Sequence, residues 1–290
     1  MKTSVITFGR NDGYKEKERL AIHLKVLLDT FDEVNYVDWN SPHHSSLYDI
    51  LDIIPKTGRL KHFIISPETH NILFNNIKGV PKVVGNLSIN IALRRTDADW
   101  VAVTTIDNIP PLKEELLNLI NKSNNNTFYT FSRRDINYED ILNNSNNLYE
   151  YRKYLGTITE PRFYPTKVTP NDNYSIINCC GDLQLAPKKI WWDVKGIEEQ
   201  MIFNCFIDTN VQKKVVLNGY NLEAIYEIPM YHMSHKNHLP QGGNTKDLHS
   251  IAETTTPIYN DAWEWVEWFK ESQNTDNWGL ADTEIEFEVF

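Results

Sequence analysis

The chain has 290 residues, 41% hydrophobic and 12% aromatic, enough for a sizeable core in one large domain with an elaborated C-terminal half. A net charge of −10 argues against a general nucleic-acid binder, and an acidic chain that handled phosphates would need a metal or a local basic group. No signal pattern and no bilayer-length apolar run is present, and the three cysteines, Cys179, Cys180 and Cys205, make no disulfide framework, so the expectation is a reducing, cytoplasmic compartment with no transmembrane segment.

Ser4 to Phe8 reads as a short buried strand that runs into the polar turn Gly9 to Tyr14. Leu20, Leu24, Leu27, Leu28 and Phe31 form an apolar stripe at helical spacing. A second strand starts at Glu33 and runs out into the carboxylate Asp38 and a turn that ends at Pro42. A short helix is expected over Leu47 to Ile54, a strand over His62 to Ser66 and a helix over Leu87 to Arg95. Strands alternating with helical patterns indicate a parallel sheet.

Asp97 to Pro111 organises the reading. The run Trp100-Val101-Ala102-Val103-Thr104-Thr105 is β-branched and aromatic, with no helical spacing, and predicts a buried strand that Pro110 and Pro111 end. It delivers one carboxylate, Asp107, to the C-terminal end of a central strand, where open α/β sheets bind ligands. A divalent metal on Asp107, itself holding a phosphate, is one reading; an Asp capping its own turn is the other.

Leu112 to Ile120 is expected as a helix and Thr127 to Phe131 as a strand leading into Ser132-Arg133-Arg134-Asp135. Residues 136–175 read as an insertion with a short helix near 146–155. Order returns at Ile176 to Leu185, Pro187 opens a helix through Trp191 and Trp192, and Ile207 to Leu217 is a helix stopped by Asn218-Gly219. Leu222 to Ile228 is a strand ahead of His232, His235 and His238. Residues 1–245 are expected as one domain, split at 110 into a nucleotide-binding and an acceptor-binding half. Residues 246–290, with Trp263, Trp265, Trp268 and Phe269, are expected as a helical tail packed on it.

This order of landmarks resembles the GT-A fold nucleotide-sugar glycosyltransferases, in particular their inverting, family-2-like branch. The resemblance rests on Val5 to Asp12, on Val37-Asp38-Trp39-Asn40, on the helix Asn90 to Arg95 leading to Thr105-Ile106-Asp107, and on Gly181-Asp182, Gly196, Asp208, Gly219-Tyr220 and the late His232. The usual Asp-x-Asp stands here as Thr105-Ile106-Asp107, and the usual Glu-Asp before the late helix as Ile207-Asp208. It implies an α/β, Rossmann-like, mostly parallel sheet and transfer of a sugar, with inversion, from a donor such as a UDP-sugar to an acceptor hydroxyl of a glycan. Mn²⁺ or Mg²⁺ would assist.

The donor site implied is Phe8, Arg10, Asn11, Asp38, Trp39, Asn90, Arg94, Thr105, Ile106, Asp107 and Gly181, with metal ligands Asp107, His232 and His235. Asp38 would accept hydrogen bonds from the nucleoside and Trp39 stack on the base, against the alternative of a turn from Asp38 to Pro42. Asp208 would be the general base, or a helix N-cap, and Asp182 the other candidate for the base. Each histidine taken singly reads as an ordinary loop residue; His232 reads as a ligand through the group. Arg133 and Arg134 are candidates for the diphosphate. Two rivals are a catalytically inactive carbohydrate- or partner-binding protein of the same fold and a metal-dependent hydrolase.

Overall fold

The structure is a computed structural model that describes residues 1–10, 16–42, 46–77, 79–137, 141, 167–172, 181–202, 207–234 and 274–290. Its first half runs β1 (Thr3–Gly9), α1 (Glu16–Thr30), β2 (Glu33–Trp39), a 3₁₀ turn (Ser46–Asp49), β3 (Leu60–Ile65), α2 (Pro67–Phe74), α3 (Gly85–Arg95) and β4 (Trp100–Thr104). The remainder is β5 (Asn108–Ile109), α4 (Lys113–Lys122), β6 (Thr127–Asn137), β7 (Lys167–Val168), β8 (Leu183–Pro187), α5 (Lys188–Asp193), α6 (Ile207–Leu217), β9 (Asn221–Ser234) and β10 (Phe287–Val289).

The strands form one mixed sheet in the order β10-β3-β2-β1-β4-β8-β6-β9-β5, with β7 also on β9. The longest registers, β1 with β2, β2 with β3 and β6 with β9, are parallel. Alternation along each strand feeds two cores, because successive side chains leave a strand on opposite faces. Val5, Val34, Tyr36 and Ala102 pack with α1 and α4, while Ile6, Val37, Val101 and Val103 pack with α3, α5 and α6. The result is a sheet between two helical layers. The chain leaves β1 for β2 and β3 on one side and returns to β4 on the other, so the strand order reverses between β1 and β4. Such a reversal opens a crevice at the C-terminal strand ends.

Four expectations change. The helix expected over Leu47 to Ile54 is the single 3₁₀ turn Ser46–Asp49. An unexpected helix, α2, follows β3; Ser66 caps it by accepting from the Thr69 amide at 3.1 Å, and Pro67 takes its first turn, where a missing N–H costs nothing. Pro110 and Pro111 end β5 rather than β4, so Thr105-Ile106-Asp107 is a turn between two strands. In the expected helical tail, residues 274–290 carry the antiparallel edge strand β10 on β3, not a helix. The helix expected near 146–155, the start of the ordered stretch from Ile176, the cysteines and Trp263, Trp265, Trp268 and Phe269 lie outside the described residues.

Candidate functional site

The turn after β4 holds Asp107. Thr105 Oγ1 donates to Asp107 Oδ1, and Asn108 Nδ2 donates to Thr105 Oγ1 at 2.8 Å. So Thr105 steadies Asp107. The Asp107 carbonyl accepts from the Met233 amide at 2.7 Å. Registration then sets the neighbours: Asn108 of β5 and Asp135 of β6 both lie opposite His232 of β9.

His232 is the centre of a charged row. Its Nε2 is 3.2 Å from Asp107 Oδ2 and its Nδ1 is 2.8 Å from Asp135 Oδ1. Arg133 Nη2 also reaches Nδ1, at 2.7 Å, and Arg133 Nε donates to Asp135 Oδ1 at 2.8 Å. Nη1 of the same guanidinium meets Asp182 Oδ2 at 3.1 Å. Burial pushes the Asp135 carboxyl up, but the hydrogen bond and charge of Arg133, with His232, hold it below the usual carboxylate range. The Asp182 carbonyl accepts from Thr104 Oγ1 at 2.7 Å and Asn108 Nδ2 at 2.8 Å, which fixes its loop to β4.

Asp208 opens α6 beside this row. A Cβ on Gly181 would stand 2.9 Å from Asp208 Oδ2 and nearer still to its Cβ, so the glycine is what lets the two segments meet. Burial pushes the Asp208 carboxyl up; the Thr209 and Gly181 backbone opposes this and the Asp182 charge adds to it. Beneath the turn, His23 of α1 is fully buried. Its Nδ1 lies 2.5 Å from the Asn108 carbonyl and its Nε2 lies 2.9 Å from Thr7 Oγ1. Desolvation lowers it to about 4, against the opposing pull of the Asn108 carbonyl and Asp107. At neutral pH it is therefore the uncharged tautomer that donates from Nδ1 to Asn108 and accepts from Thr7.

Thus Thr105, Ile106, Asp107, Gly181, Asp182, Asp208 and His232 come together. Ile106 folds over the end of β1, where a Cβ on Gly9 would be 2.9 Å from Ile106 Cγ2. Phe8 and Arg10 sit at that same strand end, half-buried, with Arg10 close enough for its charge to help lower His70 after desolvation has done so. Asp38 is buried; Ser41 Oγ donates to it, and His62 Nε2 lies 3.6 Å from it.

Three donor-site expectations fare worse. Trp39 is fully buried against His70 and Phe74, donating to His70 Nδ1 at 2.9 Å, which leaves no ring face for a base. Asn90 is buried in α3 and spends its amide on Ile197 and Glu199. Arg94 lies near the end of α3, just before β4 begins, and so at the far edge of the sheet from Asp107, between Trp192 and Trp278 at 5.0 and 4.8 Å. A helix that returns the chain to the start of the next strand must put its last turn there. Asn11, His235 and His238 lie outside the described residues.

Sequence reading passed over Asp135, Asn108 and His23 as site residues. Asp135 carries the same signal as Asp107, an acid near a strand end. His23 sits in the Leu20, Leu24, Leu27 stripe, where a histidine is otherwise a core residue.

Among the described residues no group of three or more His, Cys, Asp or Glu side chains is placed to hold a metal. A pair is, however. A six-coordinate cation with ligands at about 2.1 Å and at right angles separates two of them by about 3.0 Å, close to the 3.2 Å between His232 Nε2 and Asp107 Oδ2. A carboxylate oxygen suits Mn²⁺ or Mg²⁺ when phosphate and water supply the other donors, whereas an imidazole nitrogen more often serves softer metals.

No family model matches the chain, and no curated protein does. Among solved structures it is similar to residues 1–349 of TarS from S. aureus, at 16% identity and a TM-score of 0.52 over 90% of this chain and 66% of that one. Also similar is the mannosyltransferase PcManGT from Pyrobaculum calidifontis, solved with GDP-Man and Mn2+: 14% identity and a TM-score of 0.48 over 87% of this chain and 64% of that one. The chain thus spans slightly under two thirds of each. The likeness to TarS is one of fold, and the fold is α/β and GT-A-like. Among the described residues no helix is long and apolar enough to cross a membrane.

Proposed function

We propose that the protein is a glycosyltransferase that moves a sugar from a nucleotide-diphosphate donor, such as a UDP-sugar, to an acceptor hydroxyl with inversion. The observation that carries this is the meeting, at the reversal of strand order, of Asp107 and His232 with Arg133–Asp182 and with Asp208. Asp107 and His232 would hold Mn²⁺ or Mg²⁺. When bound, the metal would neutralise the diphosphate and stabilise it as it leaves.

The side chains divide the remaining work. Asp208 takes the proton from the attacking hydroxyl; burial raises its proton affinity, which is what a carboxylate base needs. Asp182, held by Arg133, accepts from sugar or acceptor hydroxyls, and Gly181 lets them approach the backbone. Thr105 and Asn108 keep Asp107 in place through the reaction.

A screen of nucleotide-sugar donors following UDP or GDP release, with and without Mn²⁺, tests this. Metal-dependent release is expected. Asp107→Ala abolishes metal-dependent donor binding, whereas Asp208→Asn keeps binding and lowers kcat by about 10²–10⁴-fold. Failure of every nucleotide diphosphate to bind at any metal concentration overturns the reading.

A further inference from the structure

The row at His232 contains a choice that only one proton can settle. Nδ1 faces a donor, Arg133 Nη2 at 2.7 Å, and an acceptor, Asp135 Oδ1 at 2.8 Å. Arg133 Nη2 and Asp135 Oδ1 are themselves 2.7 Å apart. A neutral ring with its proton on Nε2 donates to Asp107 and accepts from Arg133. One with its proton on Nδ1 donates to Asp135 and turns an Nε2 lone pair on Asp107, an arrangement that calls for a cation between them.

We propose that Asp135 is the positioning residue that makes His232 a metal ligand, and that Arg133 serves the opposite, metal-free tautomer. This rests on the glycosyltransferase reading only through its metal. A cation held on Nε2 would need that atom's lone pair, so the single proton of the neutral ring would sit on Nδ1. Asp135 accepts that N–H, as the outer carboxylate does behind many metal-bound histidines. Its tie to Arg133 holds Oδ1 in place as that acceptor. Asp135 touches neither donor nor acceptor in this scheme; it acts through His232.

The test uses the full-length chain and Mn²⁺ alone, with binding read by titration calorimetry or by Mn²⁺ electron paramagnetic resonance. Asp135→Asn is expected to weaken Mn²⁺ binding about 10–100-fold, the usual effect of losing an outer partner, while Asp135→Glu recovers most of it. Asp182→Asn removes the other carboxylate paired with Arg133 and measures the loss of charge by itself; its effect is expected to stay within a few-fold. Nitrogen-15 NMR of the His232 ring at pH 8 supplies a readout that a packing role would not move. Saturating Mg²⁺ moves the ring proton from Nε2 to Nδ1 in the wild type, and in Asp135→Asn the proton stays on Nε2. Equal weakening by Asp135→Asn and Asp182→Asn overturns the inference, as does an unmoved ring proton at saturation. If Asp107→Ala loses Mn²⁺ but Asp135→Asn binds like wild type, the inference falls and the metal site stands. If the wild type binds no better than Asp107→Ala, the metal reading falls and takes the inference with it.

Discussion

Lys214→Met probes how firmly Asp208 is held. Lys214 and Glu198 are both fully buried, and Nζ donates to Glu198 Oε1 at 2.6 Å and to the Gly196 carbonyl at 2.8 Å. Burial pulls the Lys214 ammonium below its ordinary value and Glu198 pulls it back, so each charge depends on the other. The pair ties α6, whose first turn carries Asp208, to the segment after α5. Methionine matches the lysine stem but leaves the Glu198 carboxylate without its cation. Breaking one partner of a buried pair costs about 3–5 kcal/mol, a large share of a total of roughly 5–15. Replacing both residues, as in Lys214→Met with Glu198→Leu, costs far less and is sometimes neutral. Urea unfolding followed by tryptophan fluorescence measures both, and donor turnover of the single variant falls as α6 loosens. A single variant within about 1 kcal/mol of wild type, or a double variant worse than the single, refutes this account.

Gly181→Ala drives a methyl group into Asp208. It is expected to lower kcat at least tenfold while Mn²⁺ binding stays near wild type, as steady-state kinetics beside calorimetry will show. His23→Leu removes a buried donor from the Asn108 carbonyl at a cost of about 1–3 kcal/mol, and His23→Gln recovers part of that in thermal melts. Glu33 is buried, which pushes it up, yet Lys2, Asn35, Thr96 and Lys61 hold it at about 2. Because that is below its unfolded value, its contribution is present above about pH 4.5 and is lost as pH falls toward 2. Across that window Glu33→Gln gives a flatter stability curve than wild type in acid titration by circular dichroism.

Much of the fold was legible because each central strand is a short apolar run with little competing helical spacing. Val5 and Ile6, or Ala102 and Val103, alternate between two cores, and both cores are buried, so the run needs no polar face. Other features depended on contacts distant in sequence. Trp39 and Asn90 stand where the resemblance to GT-A glycosyltransferases puts ligand contacts, but what they touch is decided by His70 in one case and Ile197 in the other. Gly196 and Gly279, both at positive φ, press so closely on Asn90 that neither has room for a Cβ, and no local pattern announces that joint. The α2 start was legible after all: Ser66-Pro67-Glu68 carries a capping residue, a first-turn proline and a first-turn acid.

Asp135 escaped for a reason that also explains the site. Strand β6 is expected from sequence to end at Phe131, ahead of the polar run Ser132 to Asp135, and β9 at Ile228, ahead of Pro229. Yet β6 runs on to Asn137 and β9 to Ser234, through a bulge. Between Phe131 and Arg133, β6 advances two residues while its partner advances five, from Ile225 to Met230, and Pro229 falls in the stretch that has no ladder partner. The odd surplus of three changes which residues of β9 face which residues of β6. Only after it does His232 come level with Asp135. A slip of one residue would turn one side chain of each pair to the other face of the sheet. The bulge is therefore what assembles Asp107, Asp135 and His232, and Pro229 marks the place where the strand is re-aimed to build the site.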